Sequence, residues 1–300
     1  MSFERIPKIG IVGCGFIAKK HREAILETEG EIVALCDVCP EHMEELATGL
    51  PSQPTQYTDY LTFLHHPGME GVAICVPNYL HVPFACAALD LEKNVILEKP
   101  LALNAVQAQE LVRHPNVAQC AVVYQRRWNR DVQAIHTYIE EHPYDPIVKV
   151  DAQIFVRRDP SYWDGWRTHH TLAGGQNLLN IDVHYFDLLQ WWLGKQYTVE
   201  FAKLAYRKNL DQAVFVRLSF GGVPVTFFGS SIHDDRVIDM RVQFHSGLVM
   251  AYTKDDGSHA DVYTSFFLGR HIDHGTVSAK EALTSLQIVD DIYALHERTP

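Results

Sequence analysis

The stretch KIGIVGCGFIA, residues 8–18, decides the fold of this chain. Its opening KIGIV is the short apolar run of a buried strand, and a helical pattern follows directly over residues 16–29. Gly13, Gly15 and Ala18 stand between the two in the spacing G-x-G-x-x-A. The first glycine permits a tight turn, the second lets a ligand approach the backbone, and the alanine keeps the helix close to the strand. The stretch therefore predicts a strand–turn–helix unit.

The next predicted strand, residues 31–36, ends at Asp37. An acidic residue about 20 positions after such a turn accepts hydrogen bonds from the ribose of a dinucleotide and repels a 2′-phosphate. The helix N-terminus offers N–H groups and a positive dipole end to the pyrophosphate. We therefore predict an NAD site and expect NADP to fit less well. The cofactor-binding residues predicted in this region are Gly13, Gly15, Phe16, Ile17 and Asp37.

Strand and helix patterns continue to alternate as far as residue 123. Further strands are predicted over 71–75, 94–98 and 117–124, with helices over 80–91 and 104–113 between them. Alternation with continuous apolar strands is typical of a parallel sheet covered by helices on both faces. We therefore predict an α/β Rossmann domain with a doubly wound parallel sheet over residues 1–123.

The pattern changes after Tyr124. Several strand patterns follow one another closely between residues 197 and 253, which is typical of antiparallel pairing. A further strand is predicted over 147–157, and helices are predicted over 129–141, 175–193 and 278–297. We therefore predict an α+β domain over residues 124–300 with an open, mostly antiparallel sheet.

Composition narrows the classes of function. The formal net charge of −11 over 300 residues argues against a broad nucleic-acid or membrane-surface patch, because phosphate binding needs concentrated Lys and Arg. No run approaches the roughly 20 apolar residues of a membrane span, and the N-terminus lacks the apolar core of a signal peptide. We expect a cytoplasmic protein. The six cysteines, including the C-x-x-C pair Cys36 and Cys39, are expected to be reduced structural thiols.

Two short segments follow predicted strands, at the carboxyl ends where doubly wound sheets hold ligands. They are VPNYLH, residues 76–81, and EKP, residues 98–100. Together with the glycine turn and the segment GGQNLLNIDVHYFDLLQWWLG, residues 174–194, they resemble the Gfo/Idh/MocA family of glucose–fructose oxidoreductases and inositol dehydrogenases. The resemblance covers nearly the whole chain. It implies a nicotinamide-dependent oxidoreductase that acts on CH–OH groups.

The resemblance implies two catalytic residues, Lys99 and His184. Lys99, with a cis bond to Pro100, is expected near the nicotinamide, and His184 is expected to contact the reacting hydroxyl. The two side chains, one from each domain, are expected to meet over the nicotinamide ring. Oxidation of the alcohol sends a hydride to NAD and a proton to a nearby base, and which of the two residues accepts the proton is left open. The other cofactor contacts that the resemblance implies are Pro77, Asn78, His81, Glu98 and Lys99 itself.

For the substrate, the resemblance points to one branch of the family. Asn180 stands where many family members have Asp, and NLLNIDVHYFDLL with the upstream WDGWR is similar to the UDP-N-acetylglucosaminuronate 3-dehydrogenase branch. A substrate with a diphosphate and a carboxylate suits arginine, and only one of the strand neighbours Arg157 and Arg158 should reach the cleft. The implied substrate-binding residues are Arg126, Arg157, Trp166, Arg167, Asn180 and His184, with Arg127 and Arg158 as further cations. No metal is expected, because His169 and His170 have no ligand partners at a suitable spacing.

Two alternatives to a nucleotide-sugar dehydrogenase stay open. One is a dehydrogenase of a free sugar, inositol or polyol, and the other is a regulatory sensor that binds nicotinamide cofactor without turnover. The resemblance also implies a homodimer or homotetramer formed through the C-terminal sheet. We expect Val225, Phe227 and Phe228 to give that sheet an apolar outer face.

Overall fold

The computed structural model describes residues 5–163, 165–207, 210–254, 256–269 and 275–298, without the side chains of Pro160, Trp163 and Arg207. Its strands are β1 (Lys8–Val12), β2 (Glu31–Cys36), β3 (Thr55–Tyr57), β4 (Gly71–Ile74), β5 (Asn94–Leu97), β6 (Cys120–Val122), β7 (Ile147–Phe155), β8 (Tyr197–Arg207), β9 (Leu210–Phe220), β10 (Val223–Ser230), β11 (Val237–Phe244), β12 (Val249–Tyr252) and β13 (Val277–Ser278). Its α-helices are α1 (Ala18–Glu27), α2 (Pro40–Ala47), α3 (Tyr60–Leu64), α4 (His81–Asp90), α5 (Ala105–Val112), α6 (Arg130–Glu141), α7 (His170–Ala173), α8 (Val183–Leu193), α9 (His259–Leu268) and α10 (Ala279–Arg298).

The chain divides into two compact units. Unit 1 comprises residues 1–102, 106–125 and 258–282, and unit 2 comprises residues 103–105, 126–257 and 283–300. The segment 258–282 therefore folds with unit 1, although it lies far beyond the boundary predicted near residue 123. Among the described residues, no helix is both long enough and apolar enough to span a membrane.

Unit 1 is built on a sheet with the strand order β13-β6-β5-β4-β1-β2-β3. Only β13 runs antiparallel to its neighbour among the described strands of this sheet. The order 3-2-1-4-5-6 of the parallel strands is that of a Rossmann domain. All four residues of β4 are buried, and such continuous burial requires cover on both faces of the sheet. The predicted α/β Rossmann domain is confirmed.

Helix α1 buries one stripe of its surface. The buried residues are Ala18, His21, Ala24 and Ile25, which recur at the three- and four-residue spacing of a single helix face. Three of them are apolar, and His21 is the polar exception. The polar side chain of His21 must therefore find its hydrogen-bond partners inside the unit.

Unit 2 is built on a second sheet, with the order β12-β11-β7-β10-β9-β8. Its described pairs are antiparallel except β10–β7, which confirms the mostly antiparallel sheet. Side chains alternate between the two faces, so Val225 and Phe227 are buried whereas Phe228 is 39% exposed. The prediction that all three lie on the outer face is wrong, because residues of odd and even number on one strand point to opposite sides.

The helix predicted over residues 175–193 is not one continuous α-helix. It begins as a π-helical turn, Asn177–Asp182, and becomes α-helical only at Val183. A wide turn of this kind inside a helix often occurs at functional sites. It also alters the angular relation between residues before and after it, so the four-residue spacing of Asn180 and His184 does not place them as it would in an α-helix.

Candidate active site

Two glycines shape the turn after β1 in unit 1. Gly13 has a φ of 81°, a left-handed conformation that favours glycine, and an added Cβ would lie 2.6 Å from the carbonyl oxygen of Cys75. At Gly15, nothing lies within 4 Å of the position that a Cβ would take. The backbone at Gly15 is therefore open, and it leads directly into α1, whose N-terminus has no side-chain cap. These are the features that a pyrophosphate site at a helix N-terminus requires.

Asp37 is held against this turn. One carboxylate oxygen accepts the N–H of Cys14 at 2.7 Å, and the other accepts the N–H of Cys39 at 2.9 Å. The Nδ1 atom of His42 lies 3.6 Å from the same carboxylate. The anion is thus fixed at the end of β2, beside the open backbone, so the residues present fit an NAD molecule with its ribose at Asp37 and its pyrophosphate at the turn.

The other predicted cofactor contacts of the turn differ in exposure. Phe16 is 82% exposed and Ile17 is half-buried. An aromatic ring so exposed next to a pyrophosphate site can cover a bound ligand, but direct contact of either side chain with NAD stays a prediction.

His81 joins the segments that follow β4 and β5. Its Nδ1 lies 2.6 Å from the carbonyl oxygen of Pro100, and its Nε2 lies 3.0 Å from that of Val76. Burial lowers the pKa of this imidazole, so the neutral ring donates one N–H, which we assign to the shorter contact. The neutral ring therefore hydrogen-bonds the carbonyl of Pro100, and its unprotonated Nε2 lies near the carbonyl of Val76 without a hydrogen bond to it. The predicted NAD contacts of His81, the buried Asn78 and the half-buried Pro77 are not tested by this geometry.

Lys99 follows β5 at the same sheet edge as the glycine turn, because the parallel strands β5, β4 and β1 are consecutive neighbours. Its side chain is half-buried, and the Lys99–Pro100 bond is cis, as the resemblance implies. The backbone N–H of Lys99 donates to Oε2 of Glu98 at 3.2 Å. The turn that carries the candidate base is thus held by the carboxylate that precedes it.

Glu98 belongs to a buried cluster that sequence reasoning missed. His21 Nε2 lies 3.0 Å from Oε1 of Glu98, and His21 Nδ1 lies 2.8 Å from the hydroxyl of Tyr263. His259 Nε2 lies 3.4 Å from the same Oε1. Burial pushes the pKa of Glu98 upward, but the hydrogen bond from His21 and the nearby imidazole of His259 outweigh it and hold that pKa well below its ordinary value. A polar residue on the buried stripe of α1 was the available signal for His21.

In unit 2, the candidate acid–base residue lies at the start of α8. His184 is 3% exposed, and Asn180 in the preceding π-helical turn is also buried. Asn180 donates its Nδ2–H to the carbonyl oxygen of Gly175 at 2.9 Å. The predicted roles of His184 and Asn180 toward a substrate stay predictions.

Two buried acids support this segment. Asp211 accepts the backbone N–H groups of Gln176 at 2.7 Å and Leu178 at 2.8 Å, and so caps the start of the π-helical turn. Asp182 accepts from Nδ2 of Asn177 at 2.5 Å. Burial and the neighbouring Asp211 raise the pKa of Asp182 well above its ordinary value. Asp182, to which the sequence assigned no role, is therefore a buried acid whose neutral form the fold favours.

Arg126 and Arg127 are both buried, although the sequence presents them as cations near an open cleft. The guanidinium of Arg126 stacks 4.6 Å from the ring centroid of Tyr185. Arg127 forms a two-pronged ion pair with Asp187, at 2.7 and 2.8 Å. Substrate binding by Arg126 stays a prediction. Arg127 is a structural residue, because its charge is matched inside unit 2.

Arg157 and Arg158 lie just beyond β7, which ends at Phe155, and not on the strand as predicted; their side chains have different partners. Arg157 is exposed and pairs with Asp234 at 2.6 Å, whereas Arg158 lies 4.9 Å above the ring of Tyr162. Arg167 lies 4.6 Å above the same ring. Two guanidinium groups therefore converge on Tyr162, and the sequence did not single out Arg158 for that place.

Trp166 completes this cluster. The guanidinium of Arg167 also lies 4.6 Å from the Trp166 ring, and the Arg167 carbonyl accepts Nε2–H of Gln176 at 2.6 Å. No described carboxylate pairs with Arg158 or Arg167 in the residues that the structure covers. Guanidinium groups fixed in this way are suited to a phosphate or carboxylate ligand.

Two family models match the chain. Residues 7–125 match the model described as the oxidoreductase family with an NAD-binding Rossmann fold, and residues 132–250 match the GFO/IDH/MocA C-terminal domain. The resemblance inferred from the sequence is confirmed by these matches.

Curated relatives are about a quarter identical to the chain over the residues that align. The inositol 2-dehydrogenase/D-chiro-inositol 3-dehydrogenase of Lactiplantibacillus plantarum is 23% identical over 202 residues, which are 66% of this chain and 55% of that protein. The myo-inositol 2-dehydrogenase of Thermotoga maritima is 23% identical over 288 residues, 89% of this chain and 84% of that protein. For several inositol dehydrogenases, the match spans only 55% of the relative's length.

Among solved structures, the WlbA dehydrogenase of Bordetella pertussis in complex with NADH and UDP-GlcNAcA superposes with a TM-score of 0.86. It is 20% identical, and the match covers 100% of this chain and 98% of that one. Likeness at this level of identity establishes the shared fold.

Proposed function

Because this chain belongs to the Gfo/Idh/MocA oxidoreductase family, we propose that it is an NAD-dependent dehydrogenase that acts on a secondary hydroxyl of a sugar. The observation that carries the proposal is the edge of the unit 1 sheet, where the open backbone at Gly15, the anchored carboxylate of Asp37 and Lys99 follow neighbouring parallel strands. When bound there, NAD supplies the hydride acceptor.

Within this proposal, Lys99 and His184 are the catalytic residues. Each can exchange a proton with a hydroxyl, which general acid–base catalysis requires. The proposed cofactor residues are those predicted, namely Gly13, Gly15, Phe16, Ile17, Asp37, Pro77, Asn78, His81, Glu98 and Lys99 itself. Asn180, His184, Arg126, Trp166 and Arg167 are proposed for the substrate, and Arg158 replaces Arg157, whose charge is paired with Asp234.

We propose a nucleotide-linked uronic acid as the substrate, ahead of a free sugar, inositol or polyol. The convergence of Arg158 and Arg167 on Tyr162 supports an anionic substrate. The WlbA dehydrogenase crystallised with UDP-GlcNAcA supports the same class, whereas the inositol dehydrogenase relatives support the alternative.

A substrate panel tests these proposals. Purified protein with NAD is expected to produce NADH absorbance with a UDP-linked N-acetylglucosaminuronate and much less with inositols and free hexoses. NADP is expected to replace NAD poorly, because the carboxylate of Asp37 would meet the 2′-phosphate. Turnover of inositol alone would identify the protein as a polyol dehydrogenase instead. NAD binding without turnover of any member of the panel would favour the regulatory sensor.

We also propose that the open face of the unit 2 sheet joins two or four copies of the chain. Phe215 and Phe228, paired across β9 and β10, are 38% and 39% exposed on that face. Paired aromatic rings at the centre of a sheet are the kind of apolar surface that interfaces bury. Sedimentation equilibrium is expected to show a dimer or tetramer that the double change Phe215→Asp and Phe228→Asp converts to monomer. A monomeric unchanged protein would refute this assembly.

A further inference from the structure

Four side chains from three separate stretches of unit 1 meet in one buried cluster. His21 comes from α1, Glu98 follows β5, and His259 and Tyr263 come from α9. All are buried except His259, whose side chain is 11% exposed. Helix α9 packs against α1, from which it is more than 200 positions distant in the sequence, and this contact brings α9 to the turn that carries Lys99.

The hydrogen-bond directions in the cluster follow from its chemistry. The ionised carboxylate of Glu98 can only accept, so the proton of His21 sits on Nε2, which faces Oε1 at 3.0 Å. In the neutral ring Nδ1 is then an acceptor, so the hydroxyl of Tyr263 donates to it at 2.8 Å. Burial raises the pKa of Tyr263, which keeps that donor protonated. The result is one ordered chain from Tyr263 through His21 to Glu98.

The chain ends at the candidate base. Oε1 of Glu98 is occupied by His21, with His259 at 3.4 Å, so Oε2 is left to accept the backbone N–H of Lys99 at 3.2 Å. A residue that hydrogen-bonds to a carboxylate or imidazole fixes its orientation, and so fixes the geometry of the catalytic group that it contacts. Rotation of the Glu98 side chain would break the bond to Lys99 and the bond to His21 together.

We propose that His21 and Tyr263 are positioning residues that lock Glu98 and, through it, the turn that carries Lys99. This inference rests on the proposed dehydrogenase function and deepens it. The two residues touch no reacting atom in this role. They act by keeping the backbone of Lys99 in one place.

The same atoms could instead surround a metal ion. The ligand atoms of His21, Glu98 and His259 all lie within 4.8 Å of one another. The hydrogen-bond chain accounts for both nitrogens of His21 and both oxygens of Glu98, and a metal would have to displace the proton on Nε2. We therefore favour the hydrogen-bonded cluster, and metal binding is an outcome of the test.

Paired substitutions at His21 provide the first measurement. His21→Ala is expected to lower kcat by about 10-fold to 100-fold, the loss typical of a displaced catalytic group, with little change in the KM for NAD. His21→Gln places an amide N–H near the position of Nε2 and is expected to recover most of kcat. A role in stability alone would lower the melting temperature of both variants without such recovery.

The pH profile supplies a second measurement. Removal of His21 takes away a donor to the ionised carboxylate, so the pKa of Glu98 rises, and the acid-side loss of kcat should begin at higher pH in His21→Ala. The titratable groups that face Glu98 are His21, His259, Tyr263, Cys75, His81 and its neighbour Lys99.

A third measurement does not depend on turnover. Amide hydrogen exchange of the peptide that contains Lys99 should speed up in His21→Ala and in Tyr263→Phe, with no cofactor or substrate present. Tyr60→Phe is the matched control, because it removes a hydroxyl that donates to the carbonyl oxygen of Phe84, at 2.7 Å, elsewhere in the unit. It should leave both exchange at Lys99 and kcat unchanged.

The outcomes separate the two proposals. Faster exchange at Lys99 in a protein that turns over no sugar would support the cluster and reject the dehydrogenase. Unchanged exchange and unchanged kcat in an active protein would reject the cluster alone. Zinc retained by the purified protein and lost in His259→Ala would overturn it in favour of a metal site.

Discussion

Replacing Lys99 by alanine is expected to lower kcat by about 100-fold to 10,000-fold, the contribution typical of a positioned acid or base. The Kd for NAD should change little, because we propose that Gly15 and Asp37, rather than this side chain, hold the pyrophosphate and the ribose. The amine is half-buried at the sheet edge and its backbone is fixed by Glu98. Steady-state kinetics and a calorimetric titration with NAD measure the two quantities.

Lys93 provides the matched control for Lys99. It stands at the opposite end of β5, and its ammonium donates to the carbonyl of Met69 at 2.6 Å. Lys93→Ala therefore removes a half-buried lysine that flanks the other end of β5 without touching the site, and kcat should be retained. Lys99→Arg keeps the charge but is not deprotonated in proteins, so it should be nearly as inactive as the alanine variant where Lys99 accepts the proton, and more active than it where His184 does. Wild-type kcat in Lys99→Ala would remove this residue from the mechanism.

Most of the fold of unit 1 could be predicted from local sequence patterns. The strand β1, the glycine turn, α1 and β2 lie where the sequence predicts, because periodicity, turn chemistry and an acidic strand end all act within 30 residues. The elements β3, α3 and β13 were missed, since runs of two to five residues show no period. Helix α9 was also missed, and nothing local indicates that its segment returns to the first unit.

In the candidate site as well, the sequence indicates residues within local motifs but not the partners that lie far away in the chain. The residues predicted from the sequence, such as Gly13, Asp37 and Lys99, lie in contiguous motifs, so their chemistry can be inferred from neighbouring positions. The partners that fix them are remote in the chain. Tyr263 is 242 positions from His21, and Asp187 is 60 positions from Arg127. A single sequence contains no signal for such pairs, apart from a polar residue on a buried helix face.

The second large effect is expected at Asp187, because it neutralises a buried arginine. Its two oxygens accept Nε–H and Nη–H of Arg127 at 2.7 and 2.8 Å, and one also accepts from Gln190 at 3.0 Å. The guanidinium lies 4.9 Å from the ring of Trp191. Asp187→Ala removes the carboxylate that matches this buried charge, and we expect a loss of about 3–5 kcal/mol in the free energy of unfolding. Urea unfolding followed by circular dichroism measures it.

Two further variants separate the cost of an unpaired charge from the value of the pair. Arg157→Ala breaks an ion pair of similar length, 2.6 Å, between exposed side chains, and should leave the unfolding midpoint unchanged. The double change Arg127→Met and Asp187→Leu removes both charges and should recover most of the lost stability. An Asp187→Ala protein as stable as the wild type would show that Arg127 finds another partner.

The ion pair between Arg127 and Asp187 also anchors helix α8, which presents the proposed acid–base residue, because Asp187 lies one helical turn after His184. The double variant should therefore fold with a reduced kcat.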